Sequence, residues 1–297
     1  MNIAELHRVA PAFLRRVGIA GWLNYNHSLS FRDRHYVIPI HGGIGEELLR
    51  LRPGFKSAII DVFRDKGPDC FVDVGANIGQ TVLEAFASKT WSAYYALEPN
   101  VSACGYLEVL VRTNALPVTL LPWGAGSAAR PQVLYAKGPR DGAATMAPAA
   151  RPGAYAAGMA GWAASYPLDT MLEQIGLPRS VLIKIDVEGF EAEVLSGATR
   201  ILQQLRPIVV CEVLRAYRRC ELAHTDERMS KLEFLLKEQR YRIFYLQTDG
   251  NTGERLEKAR QIESFPRELW QDNPTGYDYL FLPTEMQVPA SALFGLA

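Results

Sequence analysis

The sequence predicts an α/β fold: a mostly parallel sheet with helices on both faces and an antiparallel strand near the C-terminal end. Three observations carry this expectation. From residue 70 onward, short apolar runs alternate with helical segments, the pattern of βαβ units. The runs are continuous rather than alternating, as strands buried on both faces require. The first of them ends in a glycine-bearing loop that opens directly into a helix.

Taken in order, residues 1–69 read as an N-terminal helical extension around one short strand, residues 36–40, ahead of a main unit at 70–297. Leu6, Val9, Phe13 and Val17 fall on one face of an amphipathic helix. The pair Arg15-Arg16 lacks the small-residue cleavage site that an export signal would need. Residues 70–75 then form a buried strand and 78–88 a helix. A second strand at 94–98, a helix at 102–113 and a third strand at 118–121 follow. Residues 132–137 suggest an added strand. The Ala/Gly-rich insertion at about 138–165, whose stretch 141–165 contains only Asp141 and Arg151 as charges, reads either as a lid or as a plain surface loop. Asp169 is placed to cap a short helix. Strand 181–186, helix 190–205, strand 208–213, helix 231–237, strand 241–246 and a last strand at 277–282 complete the chain.

Composition narrows the function. Lys+Arg and Asp+Glu both total 32, so the formal charge is zero, without the basic excess that phosphate contacts demand of a nucleic-acid binder. Hydrophobic residues make up 48% and charged ones 22%, the mix of a folded chain. No run approaches the roughly 20 apolar residues of a membrane-spanning helix. The four cysteines form no C-x-x-C pair and read as small core hydrophobes in a reducing, cytoplasmic compartment.

The segment Phe71-Val72-Asp73-Val74-Gly75-Ala76-Asn77-Ile78-Gly79 is the most informative. Gly75 lets a ligand lie against the main chain, Asn77 tolerates the left-handed region, and Gly79 permits close packing of the helix on the strand. A G-x-G-x-x-G dinucleotide fingerprint is absent. Instead Asp73 precedes the first glycine and Glu98 closes the second strand. A carboxylate at Glu98 can accept both hydroxyls of a ribose, and Asp73 could meet the ammonium of an amino acid. An adenosyl ribose joined to an amino acid describes S-adenosylmethionine better than a nicotinamide dinucleotide.

Further along, Lys184, Asp186 and Glu188 alternate with Ile183, Ile185 and Val187, so period two puts the three charges on one side of their strand. Glu212 ends the next strand. Asp186, Glu188 and Glu212 are therefore the candidate catalytic groups, acting on a hydroxyl proton directly. A divalent metal held by Asp186 and Glu212 is the other way to use them. The alternative is a structural network in which Lys184 neutralises them. His41 and His224 are further candidate bases in rim loops.

The glycine segment, Ala96-Leu97-Glu98-Pro99-Asn100, Tyr166-Pro167-Leu168-Asp169-Thr170 and Leu182-Ile183-Lys184-Ile185-Asp186-Val187-Glu188-Gly189-Phe190-Glu191 together resemble the FkbM-type family of S-adenosylmethionine-dependent methyltransferases. The stretch Ile38–Gly45 is similar to the family's approach to its first strand. The resemblance implies a Rossmann-like class I methyltransferase fold. It also implies O-methylation of a hydroxyl on a sugar, glycan or polyketide-type natural product. The loop Trp123-Gly124-Ala125-Gly126 lacks the acid that many class I enzymes place near adenine. Two other readings stand beside this one: an NAD(P)-dependent oxidoreductase on a similar sheet, and a non-catalytic methyltransferase-like binding module.

Overall fold

The structure, a computed structural model, describes residues 24–52, 59–61, 63, 67–137, 143–150, 159–176, 180–248, 256–269 and 278–287. The expected helix around residues 6–17 lies outside them, as do residues 138–142 and 151–158 of the insertion.

The chain enters the fold as a hairpin, β1 (Asn24–Phe31) and β2 (Arg34–His41), where mainly helix was expected around a single strand. Arg32 turns the corner at φ 52°. Its guanidinium bonds both carboxylate oxygens of Asp61, at 2.9 and 2.8 Å. Phe31, Tyr36, Ile38 and Ile40 are buried in the same apolar layer as Leu83, Tyr106 and Leu110 of the helices beyond. Polar bonds hold this packing in register: Tyr106 donates to the Pro39 carbonyl at 2.7 Å and Tyr36 to the Leu83 carbonyl at 2.9 Å. The Asn114 side chain brackets the Val37 peptide, accepting from its N–H and donating to its carbonyl.

The central elements follow: β3 (Cys70–Val74), α1 (Gln80–Ser88), β4 (Ala93–Leu97), α2 (Val101–Thr113) and β5 (Thr119–Leu121). Next come β6 (Gly124–Ala125), β7 (Arg130–Tyr135), β8 (Met159–Tyr166), α3 (Asp169–Gln174), β9 (Val181–Ile185), α4 (Glu191–Ser196), α5 (Thr199–Gln204) and β10 (Ile208–Glu212). The chain then forms α6 (Leu222–Glu238), β11 (Tyr241–Thr248), β12 (Leu256–Ile262) and β13 (Asp278–Pro283). The main sheet runs β12–β11–β13–β10–β9–β3–β4–β5. From β10 through β5 every pairing is parallel, while β13 lies antiparallel between β10 and β11. The antiparallel strand is thus inserted within the sheet, with β11 and the unexpected β12 outside it.

Every residue of β3 and β9 is buried, because each face of the sheet meets its own apolar layer. Val72, Val74, Ile183 and Ile185 point into one layer; Phe71 and Leu182 point into the other. Phe71 stacks on Tyr94 at 4.8 Å and meets Trp91 edge-on at 5.0 Å.

A second, three-stranded sheet has the order β6–β8–β7 and was foreseen only in β7, which spans residues 130–135 instead of 132–137. The helix expected at 190–205 is broken into α4 and α5 at Gly197. A Cβ there would come within 1.9 Å of the Gly126 carbonyl oxygen, so the loop approach leaves no room for a side chain. Asp169 does not cap its own helix. Its carboxylate accepts from the N–H groups of Arg200 (3.0 Å) and Ile201 (2.9 Å), satisfying the open first turn of α5. Cys70 and Cys211 are core residues as expected, whereas Cys104 is half-buried and Cys220 exposed; all four are free thiols. Among the described residues, no helix is long and apolar enough to cross a membrane.

Candidate functional site

The carboxyl ends of β3, β4, β9 and β10 converge on a cavity of about 270 Å³. Its floor is the glycine loop. Gly75 sits at φ 79° and Gly79 at φ 100°, both in the left-handed region, and Asn77 joins them at φ 49°. A Cβ on Gly75 would stand 1.9 Å from the Asp186 carbonyl oxygen. The N–H groups of Gly75 and Ala76 both donate to the Leu97 carbonyl, each at 3.0 Å. At Gly79 a Cβ would meet Leu107 and Leu110 at 2.8 Å, so the glycine lets α1 begin hard against α2.

Glu98 stands beside this loop. Its Oε2 accepts from the Asn77 N–H and its Oε1 from the Asn100 N–H, both at 2.8 Å. Only 7% of the residue is exposed, so it is no solvated strand end. Burial pushes its carboxyl up to about 7, against the pull of those two N–H groups and of Lys184. Each oxygen keeps lone-pair capacity toward the cavity, as two ribose hydroxyls would require.

Asp73 does not line the cavity. It is fully buried, accepts from the Tyr94 hydroxyl at 3.0 Å, and pairs with the Lys184 ammonium at 3.1 Å. The direct contact with a ligand ammonium expected for Asp73 is therefore replaced by a structural ion pair. Lys184 also donates to the Gly75 carbonyl at 2.6 Å and lies 3.6 Å from Asp186.

Asp186, Glu188 and Glu212 also line the cavity and come together there, each offering a carboxylate oxygen within 4.8 Å of the others. They do not reach this point by strand alternation. β9 stops at Ile185, and Glu188 takes φ 54° with Gly189 at 103°. That turn is held from three sides. Thr145 donates to the Glu188 carbonyl (2.7 Å), Glu191 accepts from the Gly189 N–H (2.7 Å), and Arg228 ties Glu191 (3.1 Å) to the Leu214 carbonyl. Burial, followed by the charge of Asp186 and a hydrogen bond to it, pushes Glu212 well above the carboxylate range. Three hard oxygen donors at this spacing also suit a divalent cation of the magnesium or manganese type.

Sequence reasoning missed several neighbours of the site. Asp278 is the antiparallel register partner of Glu212 and adds its charge to the cluster; only the strand order could have placed it there. Met146, Leu134 and Gly124 line the cavity from the small sheet and the insertion. His41 lies against Tyr106 and His224 is exposed on α6, and neither lines the cavity.

Comparison with known proteins gives the following. The family described as the methyltransferase FkbM domain matches residues 73–243. No curated protein matches the chain. Among solved structures, an FkbM methyltransferase from Methylobacillus flagellatus is 17% identical, over 73% of this chain and 43% of that one, with a TM-score of 0.42. The present chain thus spans less than half of that protein. An O-methyltransferase from Bacillus cereus, solved with S-adenosylhomocysteine, is 9% identical over 79% and 84% of the two chains, TM-score 0.42. A SAM-dependent methyltransferase from Agrobacterium tumefaciens is 10% identical over 89% and 71%, TM-score 0.39.

Proposed function

Because the chain belongs to the FkbM methyltransferase family, we propose that it moves a methyl group from S-adenosylmethionine to a hydroxyl of a small-molecule or glycan acceptor, of sugar or polyketide type. One observation supports this reading above the rest. A single cavity is lined by the Glu98 carboxylate, by Gly75 and Asn77 of the glycine loop, and by the acids Asp186, Glu188 and Glu212. The donor, when bound, supplies a methyl group already activated on a sulfonium.

The protein's part is to align and to manage one proton. Gly75 and Asn77 offer the main chain to the ligand, Gly79 lets α1 start close by, and Glu98 accepts the ribose hydroxyls. Asp186, kept company by the Lys184 ammonium at 3.6 Å, is the carboxylate suited to take the acceptor's proton. Glu212, hydrogen-bonded to Asp186 and pushed upward by burial and by that neighbour's charge, orients Asp186. Were a divalent cation bound, Asp186, Glu188 and Glu212 would hold it, and its charge would lower the hydroxyl's pKa. Asp73 acts at a remove, by fixing Lys184. Family membership favours methyl transfer over the nicotinamide-dependent alternative.

The test has two stages. Calorimetric titration should show S-adenosylhomocysteine binding and no response to NAD or NADP. Incubation of the protein and donor with a panel of sugars, glycolipids and polyketide alcohols should then give a methylated product by mass, labile to neither base nor hydroxylamine. Binding of NAD in place of S-adenosylhomocysteine would overturn the reading, and methylation of nitrogen or carbon would overturn its O-transfer part.

A further inference from the structure

Resting on the methyltransferase reading above, we propose that Met146, carried by the Ala/Gly-rich insertion, forms one wall of the slot that grips the adenine of the cofactor. The cavity lining is chemically mixed. Its acids Asp186, Glu188 and Glu212 form one cluster, which suits the cationic part of the ligand. Beside Glu98 the lining holds the polar Asn77 and Asn100, and next to it Pro99, with Gly124 and Met146 packed nearby, offers an apolar wall. A ribose held by Glu98 leaves its base to fall among these groups, and a neutral aromatic ring fits them.

Met146 is built into that place. A Cβ added to Gly124 would lie 2.5 Å from the Met146 methyl carbon and 3.6 Å from Pro99 Cβ, so the thioether rests directly on a bare peptide. The loop that carries it is pinned on both sides of the residue. Thr145 and Tyr135 exchange backbone bonds in both directions at 2.9 Å. The Thr145 hydroxyl accepts from the Ala147 N–H at 2.9 Å while donating to the Glu188 carbonyl. The polarisable sulfur of a methionine packs well against the face of an aromatic ring, a contact worth about 0.3–1.5 kcal/mol. The insertion then takes part in holding the cofactor, and its attachment to the Glu188 turn joins that grip to the acid cluster.

The experiment is a calorimetric titration of S-adenosylhomocysteine into the wild type, Met146→Ala and Met146→Leu, with a thermal melt of each. Met146→Ala should weaken binding about 3- to 10-fold while the protein still melts in one cooperative transition. Met146→Leu, which nearly conserves volume but lacks the sulfur, should lose less affinity than the alanine variant. Equal affinity in wild type and the alanine variant would overturn the proposal. So would a leucine variant as weak as the alanine one. A wild type that does not bind S-adenosylhomocysteine would instead remove the methyltransferase reading on which the proposal stands.

Discussion

Lys184 and Asp73 face each other as direct register partners on two adjacent parallel strands, ammonium to carboxylate 3.1 Å apart. Both side chains are buried almost completely, at 5% and 0% exposure. A charge taken so far from water persists only when paired, and here the pairing also reaches the Gly75 carbonyl and Asp186.

Removing one partner should therefore be costly. Lys184→Met leaves Asp73 buried and uncompensated, and should cost about 3–5 kcal/mol of stability by urea unfolding. The double variant Lys184→Met/Asp73→Asn, neutral on both sides, should be more stable than the lysine variant alone. An additive double variant would mean that the two groups do not act as a pair.

The pH dependence of cofactor binding should report Glu98. Its carboxyl is held up to about 7 by burial, and a ribose needs the ionised form. Affinity for S-adenosylhomocysteine should thus fall roughly tenfold between about pH 8 and pH 6, and Glu98→Gln should flatten that profile. For stability without ligand the sign is opposite. The folded state holds this proton more tightly than the unfolded chain. The contribution is therefore full below the ordinary value of 4.5 and is lost as pH rises through about 7.

Asp186→Asn keeps the size of the side chain and removes its negative charge. With an acceptor at saturation, methyl transfer should slow by roughly 10²–10⁴-fold if Asp186 is the general base. A chelator applied to the wild type separates the two uses of the acid cluster. Activity lost and restored by magnesium or manganese assigns the cluster to a metal, and indifference assigns the proton to Asp186. A variant rate near wild type would remove Asp186 from the chemistry.

Asp169→Ala tests a purely architectural contact. Its carboxylate caps α5 through the N–H groups of Arg200 and Ile201. Its loss should cost about 1–2 kcal/mol, read as a lower melting temperature. The affinity for S-adenosylhomocysteine should not change, because Asp169 does not line the cavity.

Deep burial made most of the central strands legible in the sequence, although β5 was foreseen without a buried residue. β3, β4, β9 and β10 stand out as apolar runs because both their faces are covered. β1 did not, since NYNHSLSF is half-exposed along most of its length. β8 is built of small residues with little strand preference, and β12 is a charged edge. The candidate site divides in the same way. Gly75, Asn77 and Glu98, which line the cavity, were readable because the local loop dictates their places. Asp73 was read as a ligand contact because its true partner, Lys184, lies more than 100 residues away in sequence. Asp278 comes beside Glu212 through the strand order and Met146 reaches the cavity through the insertion, and neither follows from spacing.

The close approach of Gly75 to Asp186 has a pharmacological meaning. With 1.9 Å between a notional Cβ and the Asp186 carbonyl oxygen, the two peptides rest on one another without slack, and the Asp186 N–H is bonded in turn to the Val74 carbonyl at 3.0 Å. An inhibitor that wedges under the glycine loop must shift the Asp186 peptide with it. Such a compound would disturb the glycine loop and, through it, the position of the Asp186 carboxylate in the acid cluster.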